Sequence, residues 1–82
     1  MPTALRIGPH RFYFYSYDCA EPRHMHIDRE SSSAKFWLDP EVILAENYGY
    51  NRKELREIER LVKQHVEQLR DEWDAFCGGN LV

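Results

Sequence analysis

The sequence predicts an α+β fold: a four-stranded antiparallel meander with one short and one long C-terminal helix packed on one of its faces. Two observations carry this. The spacing of apolar residues changes from about 2 to about 3.6 near Pro40. The links between the alternating runs are also too short for parallel crossovers. With 82 residues, the chain has the size of one small domain spanning 1–82, near the lower limit for a self-sufficient core. Strands are expected within about 4–38 and helices over about 40–47 and 52–77.

Each strand is bounded by turn chemistry. Leu5-Arg6-Ile7 alternates and stops at Gly8-Pro9-His10. Arg11 to Tyr17 follows as a strand dense in aromatic β-formers. Asp18 to Arg23 contains Glu21-Pro22 and reads as a loop, because proline removes a donor and holds its neighbour extended. His24 to Asp28 alternates again, Glu30 to Ser33 is a polar turn, and Ala34 to Leu38 is the fourth strand.

In the helical half, Asp39-Pro40 reads as a cap followed by first-turn proline, opening a short helix over Glu41 to Glu46. Asn51 and Glu54 form a capping-box pair. From Leu55 to Phe76, apolar residues recur every three or four positions, with His65 on that stripe, and Gly78-Gly79 supplies the stop. One continuous helix of about 26 residues and ~39 Å is expected. His65 reads as a core histidine bonded to a backbone carbonyl.

The stripe needs a partner, and one sheet face is available. Alternation assigns Leu5, Ile7, Phe12, Phe14, Met25, Ile27, Ala34, Phe36 and Leu38 to the helix side. The other face then carries Arg6, Tyr13, Tyr15, Tyr17, His24, His26, Asp28, Lys35 and Trp37.

Composition narrows the classes. At 43% hydrophobic and 30% charged, the chain is neither a disordered tail nor a fibre. No apolar run approaches the ~20 residues that span a bilayer, and no leader pattern opens the chain, so a cytoplasmic protein with no membrane partner is expected. Cys19 and Cys77 are too few and too far apart to read as a disulfide framework or a zinc site, and Cys77 is expected as a buried or frayed thiol. The net charge of −3 comes entirely from the second half, where 6 Lys and Arg face 9 Asp and Glu. Nonspecific phosphate binding needs a cation surplus that this chain lacks, so RNA would have to meet the first half.

His24-Met25-His26 is the strongest chemical signal. Residues i and i+2 of a strand share a face about 6.5–7 Å apart, so two imidazoles can converge on one ion or hold a substrate between base and acid. His24 and His26 are therefore the candidate catalytic pair, with Arg6, Lys35 or a tyrosine steadying a phosphate. In the alternative reading they bind a divalent metal, with Asp28 as a third ligand. Arg6, Tyr13, Tyr15, Tyr17, Lys35 and Trp37 form a candidate substrate or partner surface, with cation and aromatic chemistry suited to a protein partner or to stacked RNA bases.

The run Glu21-Pro22-Arg23-His24-Met25-His26, the Ala34-Lys35-Phe36 strand and a helix with His65 and Trp73 eight residues apart together resemble the bacterial domain-of-unknown-function family 4160. Arg23 stands where that family usually has a second proline, serines replace its glycine-rich turn, and Leu61 replaces a common tryptophan. The resemblance implies a component of a two-gene, toxin–antitoxin-like module, and neither a reaction nor a cofactor. Three functions follow as expectations. The first is a module component acting through a small protein partner and on RNA. The second is a metal-binding or metal-dependent hydrolytic domain. The third is an interaction module that forms a homodimer through the aromatic face.

Overall fold

Alternation in the first half builds a sheet whose strands follow one another in chain order. The computed structural model describes residues 3–77. Strands β1 (Thr3–Ile7), β2 (His10–Tyr13), β3 (His24–Arg29), β4 (Ser32–Trp37) and β5 (Ile43–Tyr48) form one antiparallel sheet in the order β1-β2-β3-β4-β5. A 3-10 segment, Ser16–Ala20, lies between β2 and β3. Helices α1 (Arg52–Gln64) and α2 (Val66–Cys77) complete the fold. The expected stop at Gly78-Gly79 lies outside the described residues.

Strand parity is as alternation requires. Phe12, Phe14, Met25, Ile27, Ala34, Phe36 and Leu38 are buried with Ile58, Val62, Leu69 and Trp73 of the helices, and Leu5 and Ile7 pack against this core. Burial of one large apolar side chain contributes roughly 1.5–3 kcal/mol. A one-residue slip would expose most of this set at a cost of order 10 kcal/mol, comparable to a whole domain's stability, so the register is strongly specified.

The sheet has five strands rather than the expected four, because the segment expected as a short helix over 40–47 is β5. A helix of that length fixes its first turn for few hydrogen bonds. The free edge of β4 offers a full ladder instead, pairing Phe36 with Leu44 and Trp37 with Ile43. Asp39 does not open a helix; it accepts from Arg23, which also grips Asp74 of α2. The turn into α1 is closed by Asn47, which exchanges two hydrogen bonds with the Tyr50 backbone.

The capping box forms as the sequence predicts: Asn51 Oδ1 accepts from Glu54 N, and Glu54 Oε1 accepts from Asn51 N. The single long helix does not. It divides at His65, whose backbone turns away (φ −114°, ψ 16°) while its ring Nδ1 donates to Leu61 O at 2.9 Å. Side-chain donation to the i−4 carbonyl competes with the helical ladder and bends it. The expected backbone partner of His65 is thus present, at a residue whose own N–H is shared between Leu61 O and Val62 O.

The strand expected over Arg11 to Tyr17 ends at Tyr13. Tyr15 caps the 3-10 segment and Tyr17 lies within it. That segment is tied to the end of α2 by a Cys19–Cys77 disulfide, so Cys77 is not a free thiol. The two cysteines are 58 residues apart in sequence, but their Cα atoms lie 5.5 Å apart in the fold.

Candidate metal centre

β3 carries both histidines, paired to β4 at each and to β2 at His26. His26 lies between Tyr13 of β2 and Lys35 of β4, and His24 lies opposite Trp37. The two imidazoles therefore share the outer sheet face, with ring centroids 5.2 Å apart. That face is not bare at His24, which is 0% exposed. Its ring packs edge-on against Trp37 and lies 5.0 Å from Trp73 of α2.

The third member of the cluster comes from the 3-10 segment. Asp18 is 3% exposed, and its Oδ2 accepts from Tyr15 N at 2.8 Å and from His26 Nε2 at 3.1 Å. Its Oδ1 faces His24 Nε2 at 3.3 Å. One ligand atom from each of Asp18, His24 and His26 can be chosen so that all three lie within 4.8 Å of one another.

The orientation of His24 decides the chemistry. Its Nδ1 lies 2.9 Å from Pro22 O, and a carbonyl can only accept, so Nδ1 carries the proton. In the neutral ring, Nε2 then presents a lone pair. This atom is buried and has no hydrogen-bond partner among the described residues, although it lies within ion-pair distance of Asp18. The short distance and the missing bond are reconciled if two acceptors face one another. Such a pair calls for a cation between them, either a metal ion or a second proton on the ring. The Nδ1–H···O=C bond is also the outer support that metal-bound histidines characteristically make.

His26 is held below the ordinary histidine value chiefly by burial, with the neighbouring Asp18 carboxylate opposing that shift and His24 adding to it. It stacks on Tyr13 and meets Tyr15 edge-on.

The remaining candidates take other places. Asp28, expected as a third ligand, accepts from Tyr13 OH at 3.0 Å, and the carboxylate that meets the histidines is Asp18. Burial, followed by that bond, pushes the Tyr13 phenol up. Lys35 donates to Glu21 and lies over the Trp37 ring. Arg6 is exposed on β1 opposite Arg11, in a different row from His26. Tyr15 and Tyr17 stack in parallel 5.2 Å apart, with Tyr17 open to solvent. The aromatic face is thus largely consumed by contacts within the chain. Asp18 escaped sequence reasoning, since it lies in a link with no periodicity. The one available clue was its position beside Cys19, with a second cysteine at the end of the apolar stripe.

Fold and cluster together define a small α+β domain with a two-histidine, one-carboxylate donor set on its outer sheet face. A family model described as Domain of unknown function (DUF4160) matches residues 10–74, and the chain belongs to that family. No curated protein and no solved structure matches. No helix among the described residues is long and apolar enough to cross a membrane.

Proposed function

We propose that this chain is a metal-binding domain in which Asp18, His24 and His26 hold one divalent first-row transition ion. The observation that carries the reading is the buried, unpartnered His24 Nε2 directed at Asp18. Two imidazole nitrogens and a carboxylate oxygen suit zinc, iron, nickel or manganese and leave coordination positions for water. Ligation through His26 Nε2 would move the proton of the neutral ring to Nδ1, and binding would weaken only at acid pH, where the imidazole takes up a second proton. Bound water would supply a nucleophile, which connects the site to the hydrolytic reading.

The test is titration of the purified, disulfide-bonded protein with zinc and with cobalt(II), alongside His24→Ala. One ion per chain is expected, with affinity falling roughly 100-fold or more in the variant. Failure to bind either ion, with NMR showing both His24 nitrogens protonated, would replace the metal with an imidazolium–carboxylate pair.

A second reading, action through a protein partner, is favoured by β5. This strand, at the edge of the sheet among the described residues, exposes Ile43 (47%), Leu44 (40%) and Tyr48 (64%), a surface suited to strand addition. Pairing with a second copy, or with the other member of a two-gene toxin–antitoxin-like module, would use this edge rather than the aromatic face. Sizing chromatography of the parent and Ile43→Lys tests self-pairing; a parent that stays monomeric at all concentrations removes it. An action on RNA draws no support from the site, where Lys35 is taken up by Glu21 and Trp37.

A further inference from the structure

We infer that the Cys19–Cys77 disulfide is a redox gate on the Asp18–His24–His26 site, a conclusion that rests on the metal-binding reading above. The three donors are not held alike. His24 and His26 are fixed by β3, which is laddered to β4 and, at His26, to β2 as well, so their positions do not depend on the cysteines. Asp18 rides on five residues of 3-10 helix, a length whose own hydrogen bonds supply little stability. Its local backbone bonds run from Asp18 N to Tyr15 O and from Glu21 N to Asp18 O, and neither reaches the sheet.

Apart from the bond of the Asp18 carboxylate to His26, what anchors the segment is the residue beside Asp18. Cys19 packs against the core and is bonded to Cys77, which is fully buried at the end of α2. Cys77 follows Trp73 by one helical turn on the same face, and Trp73 packs on the His24 ring. One covalent link therefore holds the carboxylate through its neighbour and the wall behind His24 through the helix. Closing a link across 58 residues also removes chain entropy that would otherwise favour release.

Opening the gate takes a dithiol reductant. One thiolate attacks Cys19, the partly exposed partner, and Cys77 leaves as a thiolate and takes a proton. The second thiol of the reductant then displaces Cys19. Two electrons and two protons pass to the chain, giving two cysteine thiols and an oxidised reductant. Freed of its anchor, the 3-10 segment carries Asp18 away from the histidines. The site then falls from three protein ligands to two and releases its ion.

The experiment compares the oxidised full-length chain with Cys19→Ser/Cys77→Ser, which opens the link without adding thiol ligands. Both are titrated with cobalt(II) and zinc, with circular dichroism reporting the fold. In parallel, the wild-type chain is reduced with a phosphine, and exchange of the Tyr15 amide, which donates to Asp18, is followed by NMR. The double variant is expected to bind at least about tenfold more weakly. The Tyr15 amide should lose protection on reduction while the β3–β4 ladder keeps it. Equal affinity in the two proteins overturns the gate and leaves the metal-binding reading standing. An oxidised protein that binds neither ion overturns that reading, and the gate falls with it. Should the double variant fail to fold, a Tyr15 amide that stays protected in the reduced wild type overturns the gate by itself.

Discussion

Nε2 of His24 stands 3.3 Å from Oδ1 of Asp18 with no hydrogen bond between them, although both side chains are buried. The Pro22 carbonyl holds the His24 proton on the opposite nitrogen. With His24 neutral, two acceptors are thus confined together, an arrangement that is destabilising unless a cation, a metal ion or a second proton on the ring, lies between them.

Asp18→Asn tests that directly. The amide oxygen can take over acceptance from Tyr15 N and His26 Nε2, while its NH2 group donates to His24 Nε2. In the presence of a chelator, the variant is expected to be more stable than the parent by about 1 kcal/mol. It should bind zinc far more weakly. A lower melting temperature would show that a protonated His24 pairs with Asp18 instead.

His10 provides the pH dependence. It is buried against Tyr50, and its Nδ1 has no hydrogen-bond partner among the described residues. Burial lowers its affinity for a proton below the ordinary 6.5, outweighing the opposing charges of Glu57 and Glu54. The unfolded chain therefore binds the proton more readily, so the contribution of neutral His10 to stability is complete above 6.5 and is lost as pH falls through the depressed folded value. His26 acts in the same direction, so the comparison must be with His10→Gln. Urea midpoints between pH 7 and 5 should fall less in this variant, and parallel curves would contradict the assignment.

Gly49 is required by the turn that carries β5 into α1. Its φ is 102°, and an added Cβ would stand 2.8 Å from Ser32 Oγ and 3.3 Å from Ser32 Cα. Gly49→Ala should cost roughly 1–3 kcal/mol by chemical denaturation. Adding Ser32→Ala should recover part of this loss, because the backbone strain remains.

Arg23 joins three parts of the chain, donating twice to Asp74 of α2 and once to Asp39. These carboxylates hold the guanidinium above its usual value. The three side chains are 32–40% exposed, so solvent screening limits the gain. Arg23→Gln is expected to lower unfolding free energy by about 1 kcal/mol, and the loss should shrink in high salt. An unchanged midpoint at low salt would mark the pair as incidental.

Much of the scaffold was legible from local rules. The period-2 runs placed Phe12, Met25, Ile27 and Phe36 inside and put His24 and His26 in one row. The Asn51–Glu54 pair marked the start of α1, since its bonds span three residues. The same rules misjudged Glu41 to Glu46 as a short helix, where the chain forms β5 over Ile43–Tyr48; the open edge of β4 selects the strand. They also ran one helix through His65, because apolar spacing does not register a ring that donates to its own i−4 carbonyl.

The sequence by itself determined strand parity, the capped helix start and a histidine pair on a shared face, because each depends on neighbours within about one turn or one pleat. Tertiary structure alone decided that Asp18, not Asp28, meets those histidines, that Cys19 finds Cys77, and that β5 completes the sheet. In each of these cases the partner is chosen by how the chain returns on itself, through an unpatterned link, a 58-residue closure or an unpaired edge, and hydrophobic period carries no trace of such meetings.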